Sequence, residues 1–400
     1  MLSKTVNSPS QVDVAIIGGG VIGCAIAYFL SARTDFHGSV LVIEKDPSYQ
    51  RASTALSAGG IRQQFSTPEN IYISQFGAAF FKSVPTVLAC DEDVPDISFK
   101  EAGYLFLAND RNISALECNF ALQRAHGVEV EMLDASALAR CFSFLCTSDL
   151  RAGTVGLRDE GWIDPYSLLM ALKKKARSQG VLFIDDEVIA MYRHDKHIQS
   201  VQLRHGGQIA CGHVVNAAGP AAAQVAAMAG IVDLPVRPRK RMVFTFRCRT
   251  ELPGCPLVID PSGVYFRPEG DKFICGVSPP GDRDPDCTDF YVDVRIFDEV
   301  IWPVLAQRVP AFEALERGFS WAGHYAYNAI DQNAIVGPHP QLRNYYFANG
   351  FSGHGLQQAP AVGRAISELI TTGGYQTIDL RRFCFERFAE GKLVREINVV

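Results

Sequence analysis

Val12-Asp13-Val14-Ala15-Ile16-Ile17 is a short apolar run rich in β-branched residues, a pattern that predicts a strand buried on both faces. Gly18-Gly19-Gly20 reads as the turn after it, and Val21 to Ser31 as a helix apolar almost all round. Val40-Leu41-Val42-Ile43 is a second buried strand, ending in Glu44. Two parallel strands joined by a helix make a βαβ unit with a right-handed crossover. Asp164-Pro165 predicts another helix start, an acidic cap before proline, with Leu168, Leu169 and Leu172 inside and a stop near Gly180. Val181-Leu182-Phe183-Ile184 and His213-Val214-Val215-Asn216 follow as strands. The last unit is a strand, Tyr345 to Ala348, then a glycine loop from Gly350 to Gly355 and a helix from about Pro360 to Leu369. In contrast, Ala102 to Ala108 and Arg237 to Ser278 alternate apolar and polar positions. Pro261-Ser262-Gly263 and Glu269-Gly270-Asp271 punctuate them like hairpin turns.

Nucleotide-type units therefore lie at the start, middle and end of the chain, with antiparallel material between. This interleaving predicts two domains of discontinuous segments: 11–90, 151–235 and 325–380 in one, 91–150 and 236–324 in the other, with 381–400 as a C-terminal tail. An apolar share of 48% and a charged share of 20% exclude disorder. Lysine and arginine number 38 against 43 acids, a net charge of −5, so no overall positive field exists to hold nucleic acid. The cluster Lys173-Lys174-Lys175-Ala176-Arg177 falls late in a predicted helix, where a solvated face is the expectation. Eleven cysteines without a C-x-x-C pair or a Cys/His metal spacing point to a reducing compartment and no metal site. The uncharged stretches Val14 to Ala32 and Val214 to Val232 are broken by glycine, asparagine and proline, so no membrane span is expected. Residues 1–12 carry one lysine and no arginine, which predicts a cytoplasmic chain, mitochondrial only if its N-terminus has been trimmed.

Gly18-x-Gly20-x-x-Gly23 is a weak motif alone, but here it follows a strand, opens a helix, and has an acid at Glu44 ending the second strand. Gly18 serves the tight turn, Gly20 a close approach of pyrophosphate to the backbone, and Gly23 close helix–strand packing. The helix N-terminus offers N–H groups and a positive dipole end to the phosphates. Glu44 would accept from ribose hydroxyls and repel the extra phosphate of NADP. Val21, Ile22 and Lys45 belong to the same candidate cofactor-binding set. The alternative is a structural βαβ unit that binds nothing.

Further residues carry a resemblance. Ser53-Thr54 with Ser57-Ala58-Gly59-Gly60-Ile61-Arg62, Val215-Asn216-Ala217-Ala218-Gly219-Pro220 and Gly350-Phe351-Ser352-Gly353-His354-Gly355 resemble the FAD-dependent amine and amino-acid oxidoreductases. That family includes D-amino-acid oxidase, glycine oxidase, sarcosine oxidase and dimethylglycine dehydrogenase. A narrower likeness, to a mitochondrial branch linked to assembly of respiratory complex I, rests on Pro238-Arg239-Lys240-Arg241, Trp321-Ala322-Gly323, Asp331-Gln332-Asn333, Gly337-Pro338-His339-Pro340 and Gly355-Leu356-Gln357-Gln358-Ala359-Pro360. The resemblance implies an α/β Rossmann-type FAD-binding domain plus an α+β substrate domain with a mostly antiparallel sheet, as in glycine and sarcosine oxidases. It also implies hydride transfer from the carbon of a C–N bond to flavin N5, with a small amine or amino acid as substrate. An NAD-dependent enzyme is disfavoured by the C-terminal loop, and a flavin-bound assembly factor with little turnover is the alternative from another class. An electron acceptor or a respiratory complex is the further partner implied.

The resemblance extends the cofactor set to Ser53, Thr54, Ser57, Ala58, Gly59, Gly60, Ala217, Ala218, Gly219, Gly337, Gly350, Ser352, Gly353, His354, Gly355, Leu356 and Gln357. Val188 resembles the position whose backbone holds adenine, and is equally readable as a core valine. Carboxylate-orienting candidates are Arg62 first, then Tyr265 with Arg267, which share one face of a predicted strand; His354 and Gln357 join this catalytic group. Gln357 stands where sarcosine oxidases place a carboxylate-holding lysine. Ile274 stands where they place a lysine that speeds oxygen reaction, with Lys272 one pleat away. Positions that tether flavin covalently in relatives fall at Leu56 and near His324 or Tyr325, so non-covalent FAD and slow oxygen use are expected.

Overall fold

The computed structural model describes residues 9–156 and 158–397. Residues 1–8, on which most of the localisation expectation rests, lie outside the described residues. The predicted βαβ unit is β1 (Gln11–Ile17), α1 (Val21–Ser31) and β2 (Val40–Glu44). β1 pairs in parallel with β2, Val14 opposite Val40, and on its other side with the strand Gln208–Asn216. Tyr345–Asn349 adds a further parallel strand, and Leu182–Asp185 extends the sheet beyond β2. Ten of the eleven residues of α1 are buried, which is why its sequence has no polar stripe. It lies between helix Pro165–Ser178 and the C-terminal helix Gly355–Thr372. Gly363 permits the second crossing, since a Cβ there would meet the Ala25 backbone at 2.7 Å.

The second sheet has eight strands in the order Glu316–Asn328, Val236–Arg247, Lys272–Gly276, Tyr265–Glu269, Leu257–Ile259, Tyr104–Ala108, Ala152–Gly156 and Val130–Asp134. All its pairings are antiparallel except Leu257–Ile259 with Tyr104–Ala108. Period-two alternation divides its residues. Phe244, Phe246, Phe266 and Phe273 pack with Phe312 on one face. Tyr104, Phe106, Ile259 and Tyr265 occupy the other, which faces the first sheet's loops.

Four expectations need correction. Tyr104–Ala108 is buried along both faces, because each face meets its own layer of side chains. The C-terminal helix begins at Gly355 rather than near Pro360, and Pro360 lies inside it. Proline suits a first turn best, but here burial of Leu356 to Ala359 draws the preceding turn into the helix. Lys173 is buried and donates to the Tyr49 hydroxyl at 2.8 Å, so the basic cluster is not wholly a solvated face. Sheet membership changes at other residues than the expected domain limits: Ala152–Gly156 joins the second sheet, and Glu316–Asn328 runs unbroken through 324 and 325.

The segment from 381 to 397 is packed rather than trailing. Arg387, 1% exposed, donates from Nε and Nη2 to Asp331, 0% exposed, at 2.8 and 2.9 Å. Glu396 accepts from the Ser66 N–H, the Thr67 hydroxyl and the Asn70 amide at 2.9 to 3.1 Å. Removing one partner of such a buried pair leaves an uncompensated charge, at a cost of about 3–5 kcal/mol. Asp331→Ala is therefore expected to lower unfolding free energy by that order in urea titrations, with partial recovery when Arg387→Met is added. A loss under about 1 kcal/mol would show that the pair does not hold the C-terminal segment.

Candidate functional site

The turn after β1 is defined by two backbone approaches. A Cβ on Gly23 would lie 1.9 Å from the Gly18 carbonyl oxygen, and one on Gly18, at φ 103°, would lie 2.4 Å from that of Ala217. The first approach seats α1 on the turn; the second brings in the end of the adjacent strand, where Ala217 N–H donates to Ile17 O at 2.9 Å. Ala218 N–H donates to the Asn216 side chain at 3.2 Å, and Gly219 opens a short 3₁₀ turn. These groups line the C-terminal ends of parallel strands, where open α/β sheets bind ligands. Glu44 accepts from Gly19 N–H at 2.7 Å and from Asp46 N–H at 2.8 Å, one bond on each oxygen. Each carboxylate oxygen keeps a lone pair for a ribose hydroxyl. Thr54 Oγ1 accepts from Val21 N–H at 3.1 Å, tying the next loop to the start of α1. Ile22 belongs to the apolar core and Lys45 is exposed. Val188 is buried two residues beyond Asp186, whose N–H donates to Glu44 O at 3.1 Å.

The loop from Ser53 to Arg62 is clamped onto the second sheet. Ser53 donates to His324 O at 2.6 Å, and Trp321 Nε1 to Leu56 O at 3.0 Å. Arg267 donates to Ala58 O from Nε at 3.1 Å and Nη2 at 2.6 Å, while Nη1 meets Pro268 O and Glu269. All three nitrogens of Arg267 are thus engaged with the chain, and Trp162 packs against it at 4.9 Å. Arg267 shares a face with Tyr265 as expected, but the structure makes it a loop clamp instead of a free carboxylate fork. Ser57 Oγ accepts from Gly59 N–H at 3.1 Å, and Gly60-Ile61 pairs with Gly161-Trp162.

The C-terminal loop completes the site. Gly353, at φ 99°, lies under the Tyr325 ring, so that a Cβ would sit 2.5 Å from it. Ser352, at φ 50°, accepts from Asn328 N–H at 3.0 Å and so holds the turn. Gly350 packs on Asn328, Val236 and Ile335, and Gly337 faces the Tyr375 hydroxyl; both shape the approach to the loop. Gly355 and Leu356 begin the helix. Gln357 Oε1 accepts Arg62 N–H at 2.8 Å. Arg62 donates from Nη1 to Gln64 O at 2.5 Å, and its Nη2 lies 3.1 Å from His354 Nε2. Its guanidinium stands 4.2 Å from the Phe65 ring centre and 5.3 Å from that of Phe106.

Protonation states follow from this packing. Burial, then the neighbouring Arg62, holds His354 well below its ordinary pKa, so the imidazole is neutral. A guanidinium only donates, which makes Nε2 the acceptor and leaves the proton on Nδ1. Burial pushes Tyr104 up to about 12 and raises Tyr265 and Tyr325 too, so all three phenols remain donors. Sequence reasoning missed Glu160. It accepts from Gln63 N–H at 2.6 Å, Gln64 N–H at 3.1 Å and Gln64 Nε2 at 2.8 Å, fixing the turn that carries Arg62. Burial outweighs those bonds and pushes it up to about 7. No local signal marks it, since Arg158-Asp159-Glu160-Gly161 reads as a surface turn. Ile274 is buried opposite Arg267, and Lys272 lies 5.4 Å from the Phe319 ring centre.

A glycine cradle at a helix start, a carboxylate with spare lone pairs and a clamped loop are the donor set a dinucleotide requires, and FAD fits it. A family model described as FAD dependent oxidoreductase matches residues 13–369. The FAD-dependent oxidoreductase domain-containing protein 1 of Bos taurus is 43% identical over 97% of this chain and 87% of its own length. The mitochondrial sarcosine dehydrogenase of Mus musculus is 25% identical over 97% of this chain and 43% of its own. Among solved structures, L-proline dehydrogenase from P. horikoshii has a TM-score of 0.86 and 28% identity, covering 97% of this chain and all of that one, 100%. No helix among the described residues is long and apolar enough to cross a membrane.

Glu44→Arg is expected to weaken FAD retention by about one to two decades, the worth of a charge-assisted bond of roughly 1.5–3 kcal/mol. Unchanged retention after dialysis would remove Glu44 from the ribose site. A second prediction concerns pH. Because the folded pKa of Glu160 lies above its ordinary 4.5, its contribution is fully present below pH 4.5 and is lost as pH rises through about 7. Glu160→Gln should flatten that fall in unfolding free energy; an equally steep fall in the variant would assign it to other groups.

Proposed function

The chain belongs to the FAD dependent oxidoreductase family, and from that premise we propose that it oxidises the C–N bond of a small amino acid, with secondary or N-methyl amino acids ahead of D-amino acids. Bound FAD supplies the hydride acceptor. Gly18, Gly20, Gly23, Glu44 and Thr54 would hold its dinucleotide part, and the clamped loop with Ser352 to Gln357 its ring system. The observation that carries the reading is Arg62, a buried cation between two aromatic rings beside the start of the C-terminal helix. Its guanidinium, already joined to Gln64 O and His354, would in addition pair with a substrate carboxylate. His354 and Gln357 orient Arg62, and the Tyr104 and Tyr265 hydroxyls supply donors on the facing sheet. Phe65 and Phe106 keep water away, which strengthens each polar contact. Histidine held neutral and phenols held protonated supply no strong base, so the amine must arrive unprotonated. Two of the relatives, by their names, act on the secondary amines sarcosine and L-proline, which supports this substrate class.

The test is anaerobic mixing with sarcosine, L-proline, N-methyl amino acids and D-alanine while following bleaching of the flavin band. Arg62→Ala should raise KM for the best substrate by about ten- to a hundredfold, from losing roughly 1.5–3 kcal/mol of charge-assisted bonding. An unaltered KM would place the carboxylate elsewhere. We also propose that a dehydrogenase is favoured over an oxidase, because Ile274 offers no cation to stabilise charge developing on oxygen. Ile274→Lys should then speed reoxidation by aerated buffer; equally fast reoxidation in the unmodified chain would reject the point. A second reading, a flavin-bound assembly factor for a respiratory complex, draws support from Gln357, whose side chain is spent on the Arg62 backbone. It requires that no amino acid bleaches the flavin.

A further inference from the structure

Three consecutive basic residues on strand Val236–Arg247 each meet one acid from the irregular segment after Lys272–Gly276. Arg239 pairs with Asp286 at 3.3 Å, Lys240 with Asp289 at 2.8 Å and Arg241 with Asp284 at 2.8 Å. Lys272–Gly276 pairs with the long strand only from Val243 to Phe246, and the segment lies along the edge left over. There Cys287 N–H donates to Pro238 O at 2.9 Å, and Arg239 bridges Asp286. Alternation along the strand separates the three pairs. Arg239 is opposite Tyr325 and Arg241 opposite Gly323, so both share the face that carries Tyr325; Lys240, opposite His324, does not.

The Arg241 pair differs from its neighbours. Its side chains are 10% and 8% exposed, whereas Asp286 and Asp289 are 54% and 61% exposed. Asp284 takes both Nη groups at 2.8 Å. The Nε of Arg241 is buried with no hydrogen-bond partner among the described residues. The guanidinium lies 4.9 Å from the centre of the Tyr325 ring, and that ring covers Gly353 of the cofactor loop. A carboxylate is therefore already held at the face turned toward the flavin site, with one donor left over.

We propose that Arg241 is a carboxylate-recognising residue of the substrate site and that Asp284 is its resident stand-in, displaced when an anionic substrate group arrives. The inference rests on the amino-acid-oxidising reading above. Exchanging one carboxylate for another leaves no uncompensated buried charge, since Asp284 returns to water as the ligand enters. A ligand approaching side-on uses Nε together with one Nη, satisfying the donor that Asp284 leaves unpaired. Asp284 is the movable partner because it sits in an irregular segment, while Arg241 is fixed in a strand paired along its length. Burial raises the Tyr325 phenol while Arg241 and then Arg62 lower it, so both cations lie within electrostatic range of that ring. The class of ligand recognised is an amino acid whose carboxylate, or second carboxylate, reaches Arg241.

The experiment uses the FAD-loaded protein with benzoate as probe and benzamide as its neutral counterpart, read by calorimetry and by perturbation of the flavin absorption band. Benzoate should bind and benzamide should not. Asp284→Asn should tighten benzoate by about tenfold, and Arg241→Gln should weaken it by about tenfold or more. Benzoate affinity unchanged by either substitution overturns the inference. Should Arg241→Gln fail to fold, Asp284→Asn decides alone, because loss of the competing charge without a gain in affinity also overturns it. Benzoate bound through Arg241 in a chain whose flavin no amino acid reduces would sink the functional reading and keep this one. Flavin reduced by amino acids, with benzoate indifferent to both variants, would do the reverse.

Discussion

Backbone polar groups at the junction of the two sheets must find partners without water, and that constraint organises the site. Before its short pairing at Gly60-Ile61, the loop that would cover the flavin has no strand to complete, so carbonyls there are met by side chains of the other sheet. Arg267 meets Ala58 and Trp321 meets Leu56, while Ser53 donates the other way to His324. Each bond spans more than two hundred residues of sequence. The loop is therefore only as well placed as the two sheets are, and the cofactor cleft exists because both have folded.

Charge is handled in the same economical way. Arg62 is buried among aromatic rings, where its guanidinium donates to Gln64 O and meets the neutral His354. His354 is neutral because burial disfavours its charged form and the Arg62 cation adds repulsion, and Glu160 shifts toward neutrality because burial outweighs three donated hydrogen bonds. Tyrosines whose phenols burial holds protonated complete a pocket rich in donors and poor in bases. Such a pocket suits chemistry in which the substrate is oriented and the cofactor does the electronic work.

The C-terminal segment repeats the principle with opposite emphasis. Arg387 and Asp331 are fully desolvated, and Glu396 gathers donors from the start of the helix Pro68–Val87. This network joins the loop before the last two strands to the turn that follows Arg62. The end of the chain thus backs the wall of the cleft rather than lying apart from it.

The βαβ unit was legible because its signals are local. A continuous apolar strand, a triplet of glycines and a helix without a polar stripe each depend on neighbours a few residues away, and β1, α1 and β2 fall where that pattern places them. The same holds for the Asp164 cap and for the left-handed backbone at Gly353, which glycine alone adopts without strain. The role of Arg267, the burial of Lys173 and the acceptor at Glu160 were decided by tertiary structure. So were the Arg241–Asp284 pair and the early start of the C-terminal helix. Each depends on a partner brought from another part of the chain, and a charged side chain carries no mark in sequence of whether it will meet water or an opposite charge. Periodicity reports which face is buried; only the assembled sheets decide what that face is buried against.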